Sequence, residues 1–453
     1  MTTRTEHDSM GALEVPQSAL YQAQTQRAVQ NFRISPTPMP AGFIRAMLLL
    51  KQAAAHSNSA LGLLDTEIAS AISHAAASQL AVTDWSQYPV PVYQTGSGTS
   101  SNMNVNEVLA TLASQALGRP VHPNDHVNLG QSSNDTVPTA IHVSAALAIS
   151  QQLLPALTEL QQAIATQSAI SGAILKTGRT HLMDAMPVKF AQVFAGWQAQ
   201  LNHAEVLLQE QLPRLQQLAQ GGTAVGTGVN AAPGFAVRFA AELNELTGLP
   251  FVPSRNFFFS MSTQDTTVAC SGVLKTLAVA LLKIANDLRW MNSGPLAGLA
   301  EIELPALQPG SSIMPGKVNP VIPEAVAMAC AQVIGHDAAI TIAGQSGNFE
   351  LNVMLPLVAN NLLGSIDLLS GSCEAFARQC IAQMKVRADN TARVLALNPI
   401  LVTALNPLIG YEKAALIAKQ AYQQQRPILE VALELSGLPE AQLRQLLDPA
   451  RLV

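Results

Sequence analysis

The sequence predicts an all-α protein built on a central bundle of five long helices, with smaller helical regions on its N- and C-terminal sides. Three observations carry this. Helical periodicity is abundant, while strand-like alternation is scarce. Five stretches between residues 137 and 387 are strongly apolar, at least one of them nearly all round the helix, as suits helices inside a bundle. Of 453 residues, 48% are hydrophobic but only 4% aromatic and 12% charged; an average soluble protein carries roughly 25% charge. Ala, Leu, Gln, Ser and Thr stand where charges and rings would be.

The first long helix is expected over 137–168, with a kink at Pro155, which lacks an N–H and crowds the turn before it. The second, 187–219, carries Val193, Phe194, Trp197, Leu201, Val206 and Leu207 at helical spacing. The third, 263–291, has an apolar set from Val268 to Leu288 that nearly circles the helix. The fourth and fifth are expected over 323–342 and 351–387. Helices of about 20 to 37 residues are roughly 30–55 Å long. The joints at 94–106, 122–135, 178–184, 221–234 and 294–323 are rich in Gly, Pro and Asn. Shorter helices follow residue 391, punctuated by LNP at 397–399 and 405–407. The expected organisation is an N-terminal domain 1–130, a long-helix domain 131–390 and a small helical domain 391–453.

Composition excludes several functions. Disorder requires low hydrophobicity and high net charge, and this chain has neither. A net charge of −5 argues against nucleic-acid binding. The uncharged stretches 136–158 and 85–106 are interrupted by His142, glutamines, prolines, glycines and serines, so neither is read as a membrane span. Residues 1–8 are polar and lack a signal-peptide core; a cytoplasmic protein is expected. So apolar a chain is expected to bury surface against copies of itself. Cys270, Cys330, Cys373 and Cys380 form no CxxC pair and read as buried reduced thiols.

Four polar loops interrupt the apolar helices. QPGSSIMPGKVNP at 308–320 holds three prolines and two glycines, and so cannot be helix or strand interior. It carries Ser311, Ser312, Lys317 and Asn319 and lacks the phosphate-loop spacing. A serine pair, a lysine and an amide suit a carboxylate or an oxyanion. QSSND at 131–135 opens the first long helix, where Ser132, Ser133 and Asn134 can cap it or offer its free N–H groups to an anion. GRTHLMD at 178–184 sets Thr180 beside His181. A lone histidine is usually structural; as an acid or base it needs a partner, for which Glu324 is the candidate. TGSGTSSNMNVNE at 95–107 offers Ser97, Thr99, Asn102 and Asn104 around a GSG core, and is neither a nucleophile elbow nor a dinucleotide loop. His122 and His126 in HPNDH are four apart, but Pro123 and Asn124 make this a turn, so no metal site is expected. Together the loops present neutral hydrogen-bonding groups, one histidine and one lysine. They hold no thiol nucleophile, metal cage or cofactor motif. Such a set suits binding a small dicarboxylate and moving protons on it.

These motifs resemble those of a known family. QPGSSIMPGKVNP resembles the signature of the fumarase/aspartase superfamily. TGSGTSSNMNVNE, HPNDHVNLGQSSNDT, KTGRTHLMDAMP, GGTAVGTGVN, GNFELNV and LVTALNPLIGYEKAA resemble segments of class II fumarases, in family order over nearly the whole chain. The resemblance implies an all-α homotetramer with a 20-helix core, five helices from each subunit, and active sites assembled from three subunits. It implies cofactor-free, reversible trans hydration of fumarate to L-malate. It assigns Ser311 as base, Lys317 and Asn319 as stabilisers of the aci-carboxylate, and His181, oriented by Glu324, to act through a water on the leaving hydroxyl. Ser97, Thr99, Ser132, Ser133, Asn134 and Thr180 match substrate binders. His122, Asn124 and Asp125 match a second, peripheral anion site. The chain departs from the family at Tyr21-Gln22, Val193, Leu296 and Leu408, and its 321–324 segment, VIPE, is closer to aspartases. Aspartate ammonia-lyase is therefore the alternative activity, and a non-catalytic helical scaffold the alternative outside enzymes.

Overall fold

The structure, a computed structural model, describes residues 2–453. Seventeen α-helices are found among the described residues, with ten short strands in five two-stranded ladders. The five long helices are present. The first begins at Ser133 rather than 137, because Ser132 and Asp135 form a capping box that starts it one turn earlier. It runs as Ser133–Ala148, passes through a π-helical turn Ile149–Leu153, and resumes as Leu154–Ser171. The π turn lies just before Pro155, the expected kink, where the wider turn leaves room for the proline ring. The others are Phe190–Leu215, Asp265–Met291, Val321–Gly344 and Leu355–Gln379.

The chain forms two compact units. The first comprises residues up to Pro155, Ala204–Ala278 and Cys330–Ser370. Its centre is the helix Ala41–Ala60, packed by Thr66–Leu80, Phe235–Thr247 and Ser133–Ala148, with Phe43, Met47, Leu48 and Leu50 fully buried. The second comprises Ala156–His203, Val279–Ala329 and Gly371–Val453. In it, Leu395, Leu405, Ile417, Val431 and Leu443 form a small core among the C-terminal helices.

Two hairpins depart from the expected all-helical pattern outside the bundle. Thr3–Asp8 pairs with Gly11–Pro16, and Leu175–Thr180 pairs with Met183–Lys189. The second replaces the irregular joint expected at 178–184. The four cysteines are free and buried, as expected. By length and composition, three helical stretches, Ser133–Ser171, Asp265–Met291 and Val321–Gly344, could cross a membrane, where the sequence reading finds none. The most apolar windows of the first two are 67% and 56% buried within the chain, but that of Val321–Gly344 only 28%.

Candidate active site

The first unit gathers the TGSGT and QSSND loops. Gly98 sits at φ 74° and caps the helix Thr99–Leu117. Gly96 has no room for a side chain, since a Cβ there would lie 1.8 Å from the Val353 carbonyl oxygen. This tight turn sets Ser97 Oγ 2.8 Å from Thr99 Oγ1. Asn102, one turn along, donates to Ser133 Oγ at 3.0 Å, which joins the two loops. Asn104 instead holds the Gln87 carbonyl at 2.9 Å and takes a structural part.

At the second loop, Ser132 accepts the N–H of Asn134 at 3.2 Å, and Asn134 Nδ2 donates to the Ala224 carbonyl at 2.8 Å. Beneath them Asp135 is fully buried. Its carboxylate accepts the N–H groups of Ser132 at 2.9 Å, Gly221 at 3.0 Å and Thr223 at 2.8 Å. Burial raises its pKa against the pull of those three donors and of Lys51. Asp135 thus pins the GGTAVGTGVN segment to the start of the helix. The capping-box spacing from Ser132 was its signal in the sequence. Lys51 had no such signal: it lies within an apolar helix, yet it reaches Asn128 and Gln131 at 3.0 and 2.9 Å.

His122 caps the π-helical turn Pro123–Val127. Its Nδ1 accepts the backbone N–H groups of Asn124 at 3.2 Å and Asp125 at 3.1 Å, and the backbone N–H of His122 donates to His126 Nδ1 at 2.9 Å. Both imidazoles are thereby engaged in holding the expected turn.

The second unit holds the remaining candidates. Thr180 ends one strand of the hairpin, and His181 and Leu182 form its two-residue loop, at φ 54° and 61°. Such a loop requires positive φ at both positions, a conformation that Leu rarely adopts and that stores strain at an exposed tip. The first strand of the hairpin is clamped by Glu301, which is 3% exposed. Glu301 accepts from Arg179 at 2.6 Å and pairs with Lys176 at 3.1 Å. Burial lowers the pKa of Lys176, and Glu301 opposes that shift.

The 308–320 loop folds back on itself. Gly310 N–H donates to the Lys317 carbonyl at 2.9 Å, and Asn319 Nδ2 donates to the Gly310 carbonyl at 2.8 Å. A Cβ on Gly310 would lie 2.4 Å from the Lys317 oxygen, so only glycine allows this closure. Ser311 Oγ accepts two backbone N–H groups, from Ile313 at 3.2 Å and Met314 at 3.0 Å. Lys317, Asn319 and Glu324 line one cavity of about 740 Å³ with Asn286, Arg289 and Trp290. The last three carried no motif in the sequence. Glu324 lies in the first turn of Val321–Gly344. Among the described residues, no hydrogen bond or ion pair joins it to His181, so the expected orienting contact is not made within one chain.

The chain matches two family models, "Lyase" over residues 11–335 and "Fumarase C C-terminus" over residues 401–453. It is 63% identical to the class II fumarate hydratase 2 of Pseudomonas aeruginosa, covering 99% of this chain and 98% of that one. It is 59% identical to the class II fumarate hydratase of Xylella fastidiosa, covering 99% and 95%. Among solved structures, a class II fumarase from Schistosoma mansoni matches with a TM-score of 0.95 at 36% identity, covering 99% of each chain. With its loops folded as described and its whole length matched, the chain belongs to the class II fumarase family.

Proposed function

We propose that this enzyme is a fumarate hydratase, a carbon–oxygen lyase that hydrates fumarate reversibly to L-malate without a cofactor. One observation supports this best. Ser311 Oγ lies where two backbone N–H groups converge. Hydrogen bonds to the charged form lower a pKa, so the pair favours the alkoxide that a serine needs to act as a base.

In the dehydration direction, the Ser311 alkoxide takes the C3 proton of L-malate. The C–H electrons pass into the adjoining carboxylate, which becomes a dianionic aci-carboxylate. Lys317 and Asn319, held in the same loop, face that added charge, the main electrostatic task of the reaction. The C2–O bond then breaks, the C2=C3 bond forms, and the hydroxyl leaves as water with a proton delivered through a water from His181. Ser97, Thr99, Ser132, Ser133, Asn134 and Thr180 bind the carboxylates. Binding there relies on neutral groups and a helix N-terminus, which lets a dianion also leave. His122, Asn124 and Asp125 form a peripheral anion site; an anion there takes over the amides now held by the His122 ring.

The working form is a homotetramer with each site shared by three subunits. Val321–Gly344 favours this, because an apolar helix that buries so little within its own chain needs a neighbour to cover it. Met328 and Ile342 on it are 70% and 58% exposed. In this reading the exposed His181, unpaired with Glu324 in its own chain, takes the Glu324 of another subunit as its partner. The division into 1–130, 131–390 and 391–453 and a cytoplasmic location belong to the same proposal; four free thiols suit a reducing compartment.

Absorbance of the fumarate double bond tests the activity. Fumarate must form from L-malate and not from L-aspartate; the reverse result establishes the aspartase alternative suggested by VIPE. Ser311→Ala and His181→Asn must each cut turnover by at least about a hundredfold, as loss of a general base or acid does. Unchanged turnover in both refutes the site assignment; no turnover of either substrate by the parent favours the scaffold.

A further inference from the structure

The mechanism leaves several buried charges without a part, and Lys51 is among the most deeply buried of them. Lys51 lies in the helix Ala41–Ala60 and is 0% exposed. Lysine is almost never fully buried unless paired, because its ammonium must leave water. Asp135 steadies the charge, yet burial still pulls the ammonium down to about 7. Filling this space would need only another Leu or Met, like the buried Met47, Leu48 and Leu50 beside it. A charge kept against such a penalty directs attention to the groups it touches.

Those groups are two side-chain amides. Lys51 Nζ donates to Asn128 Oδ1 and to Gln131 Oε1. An amide has a donor end and an acceptor end of nearly equal shape, whereas an ammonium can only donate. The lysine therefore fixes which way both amides point. Asn128 turns its oxygen inward, where it also accepts from Asn102 at 3.1 Å and Asn106 at 3.2 Å, and donates its NH₂ to the Gln131 carbonyl at 3.2 Å. Gln131 donates its own NH₂ to the Val127 and Leu129 carbonyls at 3.1 and 3.3 Å. A flipped Asn128 would set its NH₂ against the NH₂ groups of Asn102 and Asn106. Asn102 also donates to Ser133 Oγ. The chain of contacts thus runs from a buried cation to a hydroxyl of the substrate-binding corner.

We propose that Lys51 is a positioning residue for the substrate carboxylate. By orienting Asn128 and Gln131 it fixes Asn102 and, through it, the Ser133 hydroxyl, and it adds positive potential near the N-terminus of the 133–148 helix. This rests on the reading of Ser132–Asn134 as a carboxylate site.

The test is steady-state kinetics of Lys51→Met, which keeps an apolar stem and removes the charge and its donors. KM for fumarate and for L-malate should rise about tenfold or more, the effect of losing one charge-assisted contact. Turnover should stay within about threefold, since binding rather than the bond-breaking step is disturbed. A purely structural lysine would lower thermal stability and the active fraction but leave KM unchanged, and that result overturns the proposal. Ser133→Ala is measured alongside. If it leaves KM unchanged, the reading of the corner fails; if it raises KM while Lys51→Met does not, only the role of Lys51 fails. Should Lys51→Met not assemble, Lys51→Gln decides: its neutral amide can accept as well as donate and no longer fixes both neighbours, so a KM raised about tenfold supports the proposal and an unchanged KM refutes it.

Discussion

Replacing Asp135 with asparagine tests whether the polar corner is held by an acceptor that works in three directions. The carboxylate takes Ser132 N–H on one oxygen and Gly221 and Thr223 N–H on the other. Asparagine keeps the shape but only one oxygen. If that oxygen stays with Ser132, the new NH₂ faces two N–H donors. If it turns to Gly221 and Thr223, the capping bond to Ser132 is lost instead. The second orientation is cheaper, because it leaves one buried N–H without an acceptor, at about 1–3 kcal/mol. Removing a carboxylate that burial already disfavours gives some relief, but Lys51 then loses its counter-charge, and an uncompensated buried charge is itself costly. The expected loss is about 2–4 kcal/mol. It should appear as a lower urea midpoint. KM for fumarate should rise too, since the Ser132 backbone is no longer pinned. A variant with the parent's urea midpoint and the parent's KM would refute a corner held together by Asp135.

Two further outcomes follow from buried charges. Glu301→Gln leaves Lys176 and Arg179 facing a neutral amide, at a local penalty of about 3–5 kcal/mol. Amide exchange over residues 175–189 should accelerate and turnover should fall as the His181 tip loosens; unchanged exchange would show that Glu301 is not the clamp. Stability should also depend on pH. The folded pKa of Lys51, about 7, lies below its unfolded value of 10.5. Between those values the unfolded chain binds more protons, so this contribution to stability rises with pH. Lys176 is shifted in the same direction. The buried thiols Cys270, Cys330 and Cys380, raised from 9.0 to about 12, act oppositely above their unfolded value. The urea midpoint should therefore climb between about pH 7 and 8.5, and climb less in Lys51→Met. An equal climb in both proteins would show that Lys51 does not titrate in that range.

The long helices were legible because each satisfies its backbone within itself and advertises its buried face by periodicity. Their ends were less so: the capping box at Ser132 moved the start of the first helix. The 308–320 loop was legible as a loop and as a cluster, since prolines and glycines exclude every other reading. The hairpin 175–189 was not. Its strands carry Gly178 and Pro187, and its turn is His181-Leu182 rather than the Asn-Gly or Asp-Gly that announces such loops. Asn104 stands among the neutral hydrogen-bonding groups of the 95–107 loop, but it spends its amide on the Gln87 carbonyl.

A chain with 12% charge, five apolar helical stretches and four polar loops is committed to bundled helices with its chemistry in the loops, whatever its neighbours do. Those properties are local, set by the order of residues along the chain. Pairing is not local. That Lys51 meets Asn128 and Gln131, that Asp135 holds Gly221 and Thr223, and that Glu301 clamps Arg179 depends on segments 77 to 122 residues apart. Only packing brings such groups within hydrogen-bond range, because a buried charge has no preferred partner until the space around it is filled. The tertiary structure decided which charges were worth burying.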